Sequence, residues 1–259
     1  MTTLAIANIE TILLALLPAT ESARDLPPVT ATLPYAELLH RAFVSDLGHG
    51  KRAESGFELI GLNRDGDPLR DHGHAHILPL DLDSDGRLDH ALVWTRDYMG
   101  AAAVNAVTGV REIWDLARSS AIGLFVTGMG NRAMLRDLPD PWGRSAQALL
   151  GPARVWRSLT PFVAPRHLKP RGKNSLAGQL AAELAARNLP QYTSVALADP
   201  ANLPNLRHYV LERTHGGTAP PVRAGHNVEL TFAEPIQGPL CLGYGSHFGL
   251  GLFAAAAQP

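Results

Sequence analysis

The chain has one cysteine, Cys241, in 259 residues. No intrachain disulfide can form, so packing has to hold the fold, and a reducing compartment such as the cytoplasm is expected. Charged residues are sparse at 18%, which argues against long solvated tails. The apolar N-terminal stretch MTTLAIANIETILLALLPA has no basic residue before Arg24 and is interrupted by Glu10. It lacks the charged front of a secretory signal, and no later run is long enough to span a bilayer, so no membrane association is expected. With 46% hydrophobic residues, the chain can bury one large core or two smaller ones.

Acid is unevenly missing. Residues 1–130 carry 10 Lys/Arg against 17 Asp/Glu, a net −7, and residues 131–259 carry 13 against 7, a net +6. Between Arg154 and Lys173 there is no acid at all, while Arg154, Arg157, Arg166, Lys169, Arg171 and Lys173 supply six bases beside His167. Pro161, Pro165 and Pro170 keep this stretch out of a helix. Guanidinium forks and ammonium groups suit phosphate oxygens, and Trp156 and Phe162 offer stacking faces, so RNA contact competes with a plain solvated loop.

Element patterning falls into two similar halves. LPYAELLHRAFVSDLG (33–48) has helical spacing, HAHILPL (74–80) and LDHALVW (88–94) read as a hairpin around the turn DLDSDGR, AAAVNAVTGVREIWDLARSS reads as a helix, and AIGLFVTGMG (121–130) as a strand. TLAIAN fits a strand or a helix start. After a Pro/Gly-rich stretch at 137–153, RVWRSLTPFV looks extended, and SLAGQLAAELAARNLP is a helix with Ser175 as N-cap and Pro190 as stop. TSVALA, LRHYVLER, HNVELTF and PLCLGYG read as strands. Two β-α-β-β-type units predict an α+β protein of tandem ferredoxin-like (RRM-like) folds, with domains at 1–136 and 154–259 joined by a linker at 137–153.

Two clusters carry chemistry. In DHGHAH, His72, His74 and His76 share a strand face by the two-residue period, and His90 on the returning strand is placed to join them. Zinc binding, metal-free acid–base catalysis and an inert structural role all fit; Ile77 stands where a metallo-hydrolase motif of the H-x-H-x-D-H kind needs Asp. DLDSDG matches the start of a calcium loop, but the twelfth position is Leu92 rather than Glu, so it reads as a carboxylate-rich turn. At the C-terminus, LCLGYGSHFGLGLF alternates Gly243, Gly245, Gly249 and Gly251 with apolar residues around His247. Too little chain follows for the helix that a nucleotide phosphate loop requires. The glycines instead suit close approach of an RNA backbone or of the basic stretch.

GYGSHFGLGLF resembles the glycine-rich loop of the RAMP superfamily of CRISPR-associated RNA-binding proteins. Together with GLNRDGDPLRDHGHAHILPLDLDSDGRLDHALVW, WRSLTPFVAPRHLKPRGKNS and QLAAELAARNLP, it is similar to the type I-G (formerly I-U) fused subunit, and specifically to its C-terminal processing-nuclease part. The resemblance implies metal-independent cleavage of precursor CRISPR RNA within its repeat, leaving a 2′,3′-cyclic phosphate and a 5′-hydroxyl. No cofactor is implied; the partners implied are repeat RNA and other effector-complex subunits. His74 and His76 are the candidate catalysts with His90 opposite, and His40, on the first helix, is held in reserve. The six bases, the four glycines and His247 are the candidate RNA contacts. A non-catalytic RNA-binding subunit and a metal-dependent hydrolase are the competing readings.

Overall fold

The computed structural model describes residues 8–20, 22–45, 47, 55–63, 65, 67, 69, 73–115, 119–214 and 217–256. His72 and nearly all of TLAIAN lie outside them. The chain divides into two compact units, Met1–Val29 with Tyr35–Leu138, and Thr30–Pro34 with Pro139–Pro259.

The first unit is built from β1 (Thr11–Pro18), α1 (Thr32–Val44, whose first turn belongs to the second unit), α2 (Phe57–Ile60), β2 (His76–Leu80), β3 (His90–Trp94), α3 (Ala101–Gly109), β4 (Glu112–Asp115) and β5 (Ser120–Gly130). Its antiparallel sheet has the order β2-β3-β1-β5-β4. Apart from the edge strand β4, this is the β-α-β-β-α-β arrangement of a ferredoxin-like fold. Ile12, Leu13 and Leu14 of β1 are all buried. A strand covered on both faces reads as a continuous apolar run, which accounts for the apolar character of residues 12–16.

The second unit holds α4 (Trp142–Leu150), β6 (Ala153–Ser158), β7 (Phe162–Val163), α5 (Leu176–Ala186), β8 (Tyr192–Leu197), β9 (Gly225–His226), β10 (Val228–Ile236), β11 (Leu240–Cys241) and β12 (Leu252–Ala255). Its main sheet runs β11-β12-β6-β10-β8, the ferredoxin-like order again, and β7 pairs with β9 alone. Trp156, Phe162, Leu180, Leu184, Leu230 and Phe253 form its core. Between β10 and β12, where such a fold carries its second helix, the chain forms β11 and the glycine-rich segment.

Three local expectations change. Residues 137–153, expected as a linker, contain α4, whose Ala146, Leu149 and Leu150 are buried and which packs on β12. The composition signals turns, but the apolar positions three and four apart within it are helical. The helix expected over 101–120 stops at Gly109, Val110 turns extended, and β4 follows with Ile113 buried. LRHYVLER is not a strand: Leu206 to His208 form a 3₁₀ turn closed by bonds from Leu206 N–H to Leu203 O and from His208 N–H to Asn205 O. Among the described residues no helix is long and apolar enough to cross a membrane.

Candidate nucleic-acid interface

Helix α5 organises the basic half. Leu180 and Leu184 are fully buried, and beside them Gln179, Glu183 and Arg187 recur every four residues, so they stand in a second row along the helix. Ser175 accepts the Gly178 N–H at 3.1 Å as N-cap. Each member of the polar row holds a loop.

Gln179, fully buried, holds the basic one. Its Oε1 accepts the Arg166 N–H at 2.9 Å, and its Nε2 donates to Arg166 O at 2.9 Å and Asn174 O at 3.1 Å. Lys169 N–H also donates to Asn174 O. A buried amide bonded on both ends fixes loop shape while leaving the charged side chains outward. Arg166, His167, Lys169, Arg171 and Lys173 are exposed, and among the described residues none of them makes an ion pair.

The other two expected RNA contacts are neutralised. Arg157 on β6 pairs with Glu229 of β10 at 2.6 Å, and Arg154 pairs with Glu234 at 3.2 Å. The run is acid-free in sequence, but antiparallel pairing sets Glu229 directly across from Arg157. The six-base patch is therefore a four-base patch on residues 166–173 with a charge-balanced pair of arginines behind it.

Glu183 and Arg187 hold the glycine segment. Arg187, only 5% exposed, donates from Nη1 to Glu183 Oε2 at 2.9 Å and from Nη2 to Ser246 Oγ at 3.1 Å. Glu183 Oε2 also accepts the Gly243 N–H at 2.7 Å. All four glycines have left-handed backbone, with φ +91° at Gly243 and +58° at Gly251. A Cβ on Gly243 would lie 2.6 Å from Val163 O, and one on Gly251 1.8 Å from Leu242 O. Tyr244 N–H donates to Val163 O and Gly251 N–H to Pro161 O. Of the two close approaches open to these glycines, the one within the chain is met: the segment folds onto residues 161–163, just before the basic loop. His247 is half-exposed on the 3₁₀ turn Ser246–Phe248. Sequence reading missed Gln179, Glu183 and Arg187; their signal is the polar row spaced like the leucines beside it.

In the first unit the histidines separate. His76 pairs in register with Trp94, and His90 with Leu80. They share a sheet face but sit four residues apart along it, about 13 Å. His76 is 4% exposed with its ring 4.8 Å from that of Trp94, and His90 is 3% exposed with Nδ1 2.9 Å from Asp89 Oδ1. His90 thus does not stand opposite His74 and His76 as expected. His40 and His74 instead both lie against residues 59–61, His40 at Leu59 and His74 at Gly61, the residue that ends α2. His40 Nε2 lies 2.9 Å from Leu59 O, and His74 Nδ1 is 3.6 Å from where a Cβ on Gly61 would sit. Bonds from Ala75 N–H to Glu58 O and from Gly100 N–H to the Glu58 carboxylate, both 2.7 Å, pin α2. Facing a carbonyl, His40 Nε2 must carry the proton, which leaves the lone pair of the neutral ring on Nδ1.

The acidic turn is tied by its own backbone. Asp81 accepts the N–H groups of Asp85 and Gly86, and Asp89 those of Leu82 and Asp83. Carboxylate oxygens of Asp81, Asp83 and Asp89 lie within 4.8 Å of one another. Burial, above all, pushes the Asp81 carboxyl up to about 6.

No protein-family model and no curated protein matches the chain. Solved structures do. The product of a Cas6-related gene from Pyrococcus furiosus aligns over 96% of this chain and 100% of its own at 10% identity and a TM-score of 0.48. A RAMP protein binding different RNA substrates aligns over 95% and 98% at 12% identity and 0.45. A CRISPR-associated protein Cas6 aligns over 96% and 99% at 8% identity and 0.46.

Proposed function

We propose that this chain is a RAMP-superfamily protein that binds CRISPR repeat RNA and cleaves precursor CRISPR RNA within the repeat, in the manner of the type I-G processing-nuclease part that its sequence resembles. The observation that carries the RNA reading is the loop 166–173: four exposed lysines and arginines, unpaired, on a backbone fixed by a buried glutamine. Fixed cations without counter-charges suit a phosphate backbone. The setting is the cytoplasm, with the product retained as part of a type I effector complex.

For cleavage, the 2′-hydroxyl oxygen attacks the adjacent phosphorus and the P–O5′ bond breaks. One imidazole takes the 2′ proton and a second group protonates the leaving O5′, giving the cyclic phosphate and the 5′-hydroxyl. His74 and His40 are the pair for this work, because both lie against residues 59–61 from different parts of the chain. His76 is reserved for test because of its burial.

Incubation with cognate repeat RNA in EDTA, with product ends read out, tests the reading. Cleavage is expected to persist in EDTA and to fall at least about 100-fold in His74→Ala or His40→Ala with RNA binding kept. Undiminished cutting by both variants removes these histidines from the mechanism. A non-catalytic binding subunit is the second reading, favoured by the engagement of His40 with Leu59 O and of His90 with Asp89. It predicts tight binding with no cut.

A further inference from the structure

A groove of about 440 Å³ opens beside the basic loop, lined by Leu168, Lys169 and Leu176 on one side and by Val195 and Leu197 of β8 on the other. Its volume falls within the roughly 300–1,000 Å³ typical of small-ligand clefts. Three features bear on its occupant. The walls are largely apolar, and Leu197 offers 69% of its surface to solvent at the mouth. Among the described residues β8 is the edge of its sheet and pairs with β10 alone, so backbone N–H and C=O groups along its outer side face a ligand. The rim is cationic: Lys169 lines the groove, Arg166, Arg171 and Lys173 stand on the same loop, and the chain has no acid from residue 141 to residue 182. Two acids lie near β8, and both are engaged: Asp199, two residues beyond Leu197, caps Ala201 N–H with its carboxylate, and Glu229, in register with Ala196 on β10, pairs with Arg157.

From this combination we infer that the groove is a subsite for one unpaired nucleotide of the bound RNA. The base lies between the Leu168/Leu176 wall and the Val195/Leu197 wall, its edge faces the open backbone of β8, and its flanking phosphates lie along the loop 166–173. The inference rests on the RNA reading above and adds to it a place where a base, rather than the backbone alone, is held. Charge decides between occupants. An apolar peptide adding a strand to β8 would not use four uncompensated cations, whereas a nucleotide joins an apolar ring to a phosphate.

The test uses the full chain and repeat RNA carrying 2-aminopurine at one unpaired position at a time, with binding read by anisotropy and base environment by fluorescence. One position is expected to change its emission on binding. Leu197→Ser should abolish that change and weaken binding about tenfold, and Leu197→Trp, by offering a stacking face, should tighten it. Leu197 is 69% exposed, so neither substitution disturbs the core, and circular dichroism checks the fold. Repeat RNA with 4-thiouridine at the responsive position should crosslink within residues 168–177 or 195–197. If RNA binds through the loop but neither Leu197 variant alters affinity or any probe, and crosslinks fall elsewhere, the subsite is overturned while RNA binding stands. If repeat RNA does not bind at all, both readings fall together.

Discussion

At the scale of single residues, two glycines show how differently one residue type is used. Gly251 has φ +58°, and a Cβ there would meet Leu242 O at 1.8 Å. Gly251→Ala is expected to destabilise the protein by about 3 kcal/mol or more, since strain and overlap add. Gly109 ends α3 with nothing within 4 Å of its Cβ position, and Gly109→Ala should stabilise by about 0.5 kcal/mol. Urea midpoints of the two variants check both signs. Asp81 makes a pH prediction. Its folded value of about 6 exceeds the ordinary value near 3.9, so the folded state keeps a proton that the unfolded chain has shed between these pH values. Stability contributed by this group therefore falls as pH rises from about 4 to 6, and the full penalty applies above that. Asp81→Asn should gain about 1 kcal/mol near pH 7.5, after allowance for solvent screening, and nothing near pH 3.5.

At the scale of elements, α5 fastens both loops of the second unit through residues that are neither charged loop nor glycine. Gln179→Leu keeps the core filled but leaves the Arg166 amide and two carbonyls without their bonds. It should cost about 2 kcal/mol and also weaken RNA binding, though no cation is touched. Anisotropy titrations beside urea melts separate the effects; unchanged affinity would mean that the held loop shape is not used. Ser175 as N-cap and the Asp-rich turn between β2 and β3 were readable because their signals are local. The linker misreading had the same source. Pro and Gly at 137–153 are local turn signals, and α4 forms because its apolar side can pack on β12, which lies about a hundred residues onward in the chain.

For the whole molecule, the net charge of −1 hides a basic half and an acidic one. RNA affinity should therefore fall steeply with salt despite the near-neutral total. Each phosphate contact on a single strand contributes about 0.7 to the log–log slope. Replacing Arg166, Lys169, Arg171 and Lys173 together by Gln should lower that slope by about 3, whereas Arg157→Gln, which removes a base already paired with Glu229, should leave it nearly unchanged. Equal effects from the two variants would show that the paired arginines also reach the RNA.

The chain's own order of residues determined the twofold β-α-β-β pattern, the helix after Ser175, the acid-free run and the four glycines, because hydrophobic period, caps and composition act over a few residues. Tertiary structure decided the rest. Strand register placed His76 and His90 at opposite ends of one hairpin and Glu229 across from Arg157, since a partner in an antiparallel pair is set by which residues align, not by what stands nearby in the chain. It set His40 beside Leu59 and His74 beside Gly61, and of the two approaches the glycines allow it made the one onto residues 161–163. Distance along the chain carries no information about such meetings; only the closed core makes them.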